Sequence, residues 1–186
     1  MNGSGALDPA ALQATVQAAL GARCSVGIDF VDIDEVATSI ETLGDAYLDR
    51  LFTAHERASC IGSRRTQAAS FAARFAAKEA ALKVLAPTGP RPEWRSIEVV
   101  RLPHGACELH LHGTAAALAD AAGLYSFSVS LTHEGALAAA VVVCECPATA
   151  PSITRLGARD DHNGPPENGG ADLPPRPGAS PRQGDR

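Results

Sequence analysis

The 186-residue sequence predicts an α+β fold in which a mostly antiparallel sheet packs on one long helix. Residues 67–85 contain no glycine or proline and are rich in alanine, which favours a single long helix. Five apolar segments have the composition of strands, and they lie on both sides of that helix in the chain. A hydrophobic fraction of 45% is enough for one core of medium size.

The first half of the chain is predicted to be mainly helical. An Asp-Pro pair, which suits the cap and first turn of a helix, begins a predicted helix over residues 9–20. Residues 24–33 have the apolar run of a buried strand. Asp34 can cap the next helix, whose apolar residues recur at helical spacing through Leu51. A second short helix is expected to begin near Thr53.

The second half is predicted to supply most of the sheet. The long helix ends before a proline, and the segments after it are rich in β-branched and apolar residues. These segments predict strands over 94–101, 107–112, 125–131 and 136–146, with a further helix over 114–122.

Three regions are expected along the chain. Residues 1–22 form a helical N-terminal extension, and residues 23–146 form the folded domain. Residues 147–186 contain eight prolines, six glycines and no aromatic residue. Because such a segment buries too little apolar surface to offset the entropy of ordering, we expect a disordered tail.

Charge and hydropathy exclude several classes of function. A formal net charge of -5 leaves no sequence-wide basic field for nucleic acid or an anionic membrane surface. The first twenty residues lack lysine and arginine, and no run of eighteen apolar residues occurs, so neither a secretory signal nor a membrane span is expected. Five cysteines, an odd number in a chain of this size, are interpreted as reduced. The sequence therefore favours a cytoplasmic protein.

Asp29 is the first candidate for a functional site. It stands inside the apolar segment 26–31, where a carboxylate needs a cation or hydrogen-bond donors to compensate for lost hydration. The alternative is that the strand ends early and that Asp29 caps a turn with Gly27.

The long helix carries the second group of candidates. Glu79 continues an aromatic stripe at four-residue steps, and Lys83 follows one turn later. Arg74 and Lys78 form a neighbouring basic pair. One acidic ligand among three cations suits a magnesium-bound diphosphate. A solvated helix face with a Glu79–Lys83 pair is the alternative interpretation.

A third candidate is the polar stretch 128–135, which contains Ser130 and His133. Hydroxyls, an imidazole and a glycine at the end of a strand could hold a phosphate. A hairpin turn without a ligand is the alternative.

Four motifs taken in order resemble the holo-[acyl-carrier-protein] synthase family of 4'-phosphopantetheinyl transferases. Residues 27–33 match a G-x-D-x-V-x-I strand, and residues 52–56 are similar to an F-T-x-x-E turn. Residues 74–80 match an R-F-A-x-K-E-A helix, and residues 130–133 resemble a late S-x-S-H segment. The resemblance extends from about residue 24 to residue 146.

The resemblance implies an activity and a set of site residues. Members transfer 4'-phosphopantetheine from coenzyme A to a serine of an acyl carrier protein, release 3',5'-ADP, and assemble as homotrimers with active sites between subunits. By position, Asp29 and Glu79 would hold Mg²⁺, Lys83 would neutralise the diphosphate, Arg74 and Lys78 would line the pocket, and Ser130 and His133 would approach the 3'-phosphate of the nucleotide. Glu79, or a water held by the metal, would accept the serine proton.

One departure leaves two other functions open. The family commonly has an arginine that contacts the acidic carrier where this chain has Glu35. A catalytically silent subunit that binds the carrier or coenzyme A is therefore one alternative. Another magnesium-dependent nucleotide enzyme is the second.

Overall fold

A computed structural model describes residues 8–20 and 24–146 of the chain. The six α-helices of this described part are α1 (Pro9–Leu20), α2 (Ile33–Leu43), α3 (Asp45–Leu51), α4 (Ala54–Ser59), α5 (Arg64–Leu85) and α6 (Gly113–Ala122). Its five strands are β1 (Cys24–Asp32), β2 (Ile97–Arg101), β3 (Cys107–Leu111), β4 (Tyr125–Glu134) and β5 (Leu137–Glu145). The expected tail, 147–186, and the start of the N-terminal extension lie outside the described residues.

The strands form two antiparallel sheets, which confirms the predicted α+β class. Strands β1, β5 and β4 lie side by side in that order, and β2 pairs with β3. Asp29 is opposite Ala140, which in turn is opposite Leu131 of β4. Residues directly opposite one another on paired strands have their side chains on the same face of the sheet. Ala140 and Leu131 therefore lie on the same face as Asp29.

Helix α5 forms the centre of the core. Sixteen of its 22 residues are buried, and half of these are alanines. The small side chains allow the helix to approach the sheet closely: a Cβ atom placed on Gly27 would lie 1.9 Å from the carbonyl oxygen of Ala80. The close contact between Gly27 and Ala80 fixes which face of α5 lies on β1.

None of the helices in the described residues combines the length and hydropathy needed to cross a membrane.

Two predictions about α2 are wrong. The helix predicted to run through Leu51 is divided at Gly44, whose φ of 59° is accessible to glycine at little cost. The N-cap is Asp32 rather than Asp34, because Asp32 Oδ1 accepts hydrogen bonds from the backbone nitrogens of Asp34 and Glu35. β1 therefore leads directly into α2, without an intervening loop.

The predicted N-terminal helix is confirmed, and it covers the free edge of β1. Asp8 Oδ1 accepts a hydrogen bond of 2.9 Å from the backbone nitrogen of Ala10. Gln17 Nε2 donates to the carbonyl of Cys24 at 2.6 Å, and Gln17 Oε1 accepts from the backbone nitrogen of Val26 at 3.0 Å. These amide side chains satisfy strand groups that would otherwise be open to another chain.

Candidate active site

Asp29 lies on the face of β1 that packs against α5. Its residue is 7% exposed, and β1 continues past it to Asp32, so the alternative in which Asp29 caps an early turn is wrong. Lys83 Nζ lies 2.9 Å from Asp29 Oδ1 and also donates to the carbonyl oxygen of Ile28. The cation that a buried carboxylate requires is thus supplied by α5.

Asp29 and Glu79 line one cleft. The cleft has a volume of about 170 Å³ and lies where the end of β1 meets the start of α2 and the middle of α5. Asp32 and Glu35 are also among the residues that line it, so four acidic residues surround the cleft beside Phe75. Four carboxyl groups on one small cleft favour a cation as ligand, and their oxygens suit a hard divalent ion.

The alternative of a solvated face on α5 is wrong. Glu79 is only 6% exposed, and the Lys83 side chain is 30% exposed and pairs with Asp29. Both residues therefore belong to the packed side of the helix, at the edge of the cleft.

Asp32 and Glu35 belong to the lining of the site, and no motif in the sequence indicated this. In the sequence Glu35 stands out only as a departure from the carrier-binding arginine, whereas in the structure it lines the cleft. Partial burial, and after it the negative charge of Asp32, raise the pKa of Glu35 above its usual 4.5. The available signal was the spacing: these two acidic residues follow Asp29 by three and six positions.

Lys78 is not brought together with Asp29 and Glu79. Its side chain is completely buried, with Nζ 2.9 Å from Glu56 Oε2 and 3.0 Å from the carbonyl oxygen of Trp94. Burial lowers the pKa of Lys78, although the charge of Glu56 opposes that shift. Adjacent residues on a helix point about 100° apart. Because Glu79 points at the cleft, Lys78 points toward α4 and β2, and its role in coenzyme A binding remains a prediction.

Arg74 lies one turn before Lys78 and is also buried, at 5% exposure. Its Nη2 donates to Ser59 Oγ at 2.9 Å, and its Nη1 donates to the carbonyl oxygen of Ser70 at 3.2 Å. The predicted basic pair therefore exists, but it faces α4 rather than the carboxylate cleft. Its predicted role at the cofactor remains a prediction.

Ser130 and His133 lie on β4, and both are exposed. The strand continues through Glu134 and meets antiparallel β5 in a hairpin turn at residues 135 and 136, so the stretch does end in a hairpin, and its contact with a phosphate stays a prediction. Ser130 is opposite Val141, on the sheet face turned away from Asp29. Two strand spacings, about 10 Å, separate β4 from β1. Neither residue lines the carboxylate cleft of its own chain.

Comparison with known proteins identifies the family. The sequence model of the 4'-phosphopantetheinyl transferase superfamily matches residues 25–142. Curated relatives described as holo-[acyl-carrier-protein] synthase include one from Frankia casuarinae, 47% identical over 122 residues, and one from Solibacter usitatus, 38% identical over 121 residues. Each alignment covers 64% of this chain and 95% of the relative.

Solved structures agree with that assignment. The apo synthase structure from Chronobacterium ammoniagenes is 28% identical with a TM-score of 0.59, and it covers 67% of this chain and 97% of its own. The Mycobacterium tuberculosis acyl carrier protein synthase is 37% identical with a TM-score of 0.51, covering 66% and 96%. The acidic cleft between β1 and α5 is therefore set in a known enzyme fold, and the chain belongs to the 4'-phosphopantetheinyl transferase superfamily.

Proposed function

We propose that this chain transfers the 4'-phosphopantetheine group from coenzyme A to a serine of an acyl carrier protein and releases 3',5'-ADP. The curated relatives named holo-[acyl-carrier-protein] synthase support this activity, as does a Chronobacterium ammoniagenes relative solved as a coenzyme A complex. The observation that carries the proposal is the meeting of Asp29 and Glu79 in one acidic cleft beside Lys83. The cytoplasm, where coenzyme A and its carrier are available, is the proposed location.

The donor set of the cleft fits Mg²⁺. Magnesium prefers oxygen ligands and commonly takes one or two protein carboxylates, with substrate phosphate and water as its other ligands. Asp29 and Glu79 would hold the ion, and Asp32 and Glu35 add negative charge in the same lining. When bound, the ion would supply charge neutralisation for the diphosphate of coenzyme A.

The side chains around the cleft would compensate the developing charge and accept the serine proton. The serine oxygen forms a bond to the pantetheine-side phosphorus, and the bond from that phosphorus to the 3',5'-ADP oxygen breaks. Lys83 is near enough to the surface to contact the diphosphate, and its ammonium group offsets charge that develops on the leaving group. Glu79 either accepts the serine proton or orients the water that accepts it.

A homotrimer is proposed because one face of the main sheet is left open. On the side away from α5, the described residues include the exposed side chains of Ser128, Ser130 and Thr132 beside half-buried Val141 and Val143. Exposed apolar side chains at Tyr125 and Leu137 extend this face. A neighbouring subunit packed there would bring Ser130 toward a second chain, which suits its proposed contact with the 3'-phosphate, whereas His133, opposite Ala138, lies on the other face of β4 near the end of the strand.

The test is a transfer assay with the purified full-length chain. An apo acyl carrier protein incubated with the chain, coenzyme A and Mg²⁺ should increase in mass by about 340 Da, the size of the transferred group. The increase should require both Mg²⁺ and the carrier serine. Binding of coenzyme A without any change in carrier mass would instead support the alternative of a silent subunit.

A further inference from the structure

We propose that Glu98, His110 and His112 form a second metal site, one that takes a divalent transition metal and is best suited to Zn²⁺. One ligand atom from each side chain lies within 4.8 Å of the other two. His112 Nε2 is 3.1 Å from Glu98 Oε2. In a tetrahedral zinc site with bonds of about 2.0 Å, neighbouring ligand atoms are about 3.3 Å apart. The cluster is therefore close to the required spacing.

The backbone of the β2–β3 hairpin brings these residues together. Glu98 of β2 is directly opposite His110 of β3. His112 lies one residue beyond the end of β3, where the backbone is still extended and its nitrogen donates to the carbonyl of Ser96 at 2.7 Å, so the alternation of side chains along the strand carries on to this position. Residues two apart in a strand share a face. Both imidazoles therefore stand on the same side as the carboxylate.

The carboxylate is held in place by a neighbour outside the hairpin. Thr53 Oγ1 donates to Glu98 Oε1 at 2.5 Å, while the other oxygen, Oε2, faces His112. Carboxylates that bind a metal are themselves hydrogen-bonded by a neighbour, which fixes their orientation, and Thr53 supplies that hydrogen bond here.

The type of ligand selects the metal. Two imidazoles and one carboxylate suit zinc and its neighbours, whereas magnesium prefers oxygen alone. Both histidine side chains are about half exposed, at 44% and 54%, so an ion can enter from solvent. The fourth ligand would be water or Glu108, whose Oε2 lies 3.0 Å from His110 Nε2. This site is separate from the carboxylate cleft and does not depend on the proposed activity.

Zinc titration of the full-length chain, with a competing chromophoric chelator, tests the site. The wild-type chain should bind Zn²⁺, and His110→Gln and His112→Gln should each weaken that binding by at least about tenfold. His104→Gln, in the turn of the same hairpin but outside the cluster, is the control and should bind as the wild type does. Circular dichroism verifies that each variant is folded.

Two results would overturn the proposal. One is a wild-type chain without measurable zinc binding, and the other is undiminished binding in both histidine variants, which would assign the ion elsewhere, for example to the free cysteines. Glu98→Gln serves as an independent third variant, and it should also weaken binding. Excess Mg²⁺ should leave zinc affinity unchanged, and competition by Mg²⁺ would contradict the proposed ligand set.

Discussion

Lys83 has two proposed roles in the cleft, to compensate the charge of Asp29 and to contact the diphosphate of coenzyme A. Its ammonium group pairs with Asp29 Oδ1 at 2.9 Å, and its side chain retains 30% exposure. It can therefore compensate a buried carboxylate and still meet an anionic ligand. The two tasks need the same positive charge, which makes this residue sensitive to neutral substitution.

We predict that Lys83→Met lowers the transfer rate by on the order of a hundredfold, because a preorganised cation at the leaving group is lost. Lys83→Arg keeps the charge and should restore part of the rate. Steady-state kinetics with coenzyme A and a carrier protein measure both effects. A Met variant with the wild-type rate would remove Lys83 from the mechanism.

Glu35 gives the cleft a dependence on pH. Because its pKa is higher in the folded chain than the usual 4.5, its ionised form is disfavoured by folding. The stability it contributes is fully present below pH 4.5 and is lost as the pH rises through the folded-state pKa. Glu35→Gln stays neutral throughout, so it should melt at a higher temperature than the wild type at neutral pH.

The comparison of melting temperatures has a matched control. The gap between Glu35→Gln and the wild type should close as the pH falls below 4.5, where Glu35 is protonated in both the folded and the unfolded chain. Asp34→Asn, an exposed acidic residue in the same helical turn, should gain no stability at neutral pH. A Glu35→Gln variant that is less stable than the wild type at neutral pH would refute the assignment.

At the scale of elements, the contact between β1 and α5 determines the site. Gly27 lies so close to Ala80 that a Cβ atom would meet the carbonyl oxygen at 1.9 Å. Two residues later on the same face of β1 is Asp29, and one residue earlier on α5 is Glu79. The close approach of the two backbones therefore brings the two carboxylates into one cleft.

Gly27→Ala should accordingly destabilise the fold by roughly 3 kcal/mol, since an overpacked contact with backbone cannot be relieved by a side-chain rotation. Gly89→Ala is the control, because nothing lies within 4 Å of its added Cβ. Urea denaturation of the two variants measures the difference. Equal urea midpoints for the two variants would mean that α5 can move away from β1 without a loss of stability.

Part of the site could be predicted from the sequence, whereas the rest depends on how α5 packs against β1. A long helix without glycine or proline, an apolar strand with one aspartate, and four motifs in order were sufficient for α5, β1 and the candidacy of Asp29 and Glu79. The direction of Lys78 was not accessible, because it depends on which face of α5 meets Gly27. The position of Asp32 at the cleft could not be predicted either, because it depends on α2 beginning at Ile33 without an intervening loop.

For the whole molecule, the open sheet face predicts assembly. In light scattering, the wild-type chain should have three times the mass of its 19.1 kDa subunit. Val141→Lys places a charge on the proposed interface and should give smaller species with little transfer activity. Val100→Lys, a half-buried valine on the other sheet, should leave the assembly intact. A fully active wild-type monomer would contradict the trimer.

The most direct test of the account is the mass of an apo carrier protein incubated with coenzyme A, Mg²⁺ and the Glu79→Gln variant. The substitution preserves the size of the side chain and removes its charge from the cleft. The carrier should keep its original mass, whereas Glu145→Gln, an exposed glutamate at the end of β5, should add about 340 Da as the wild type does. Modification by folded Glu79→Gln at the wild-type rate would contradict the central claim that this carboxylate serves the reaction.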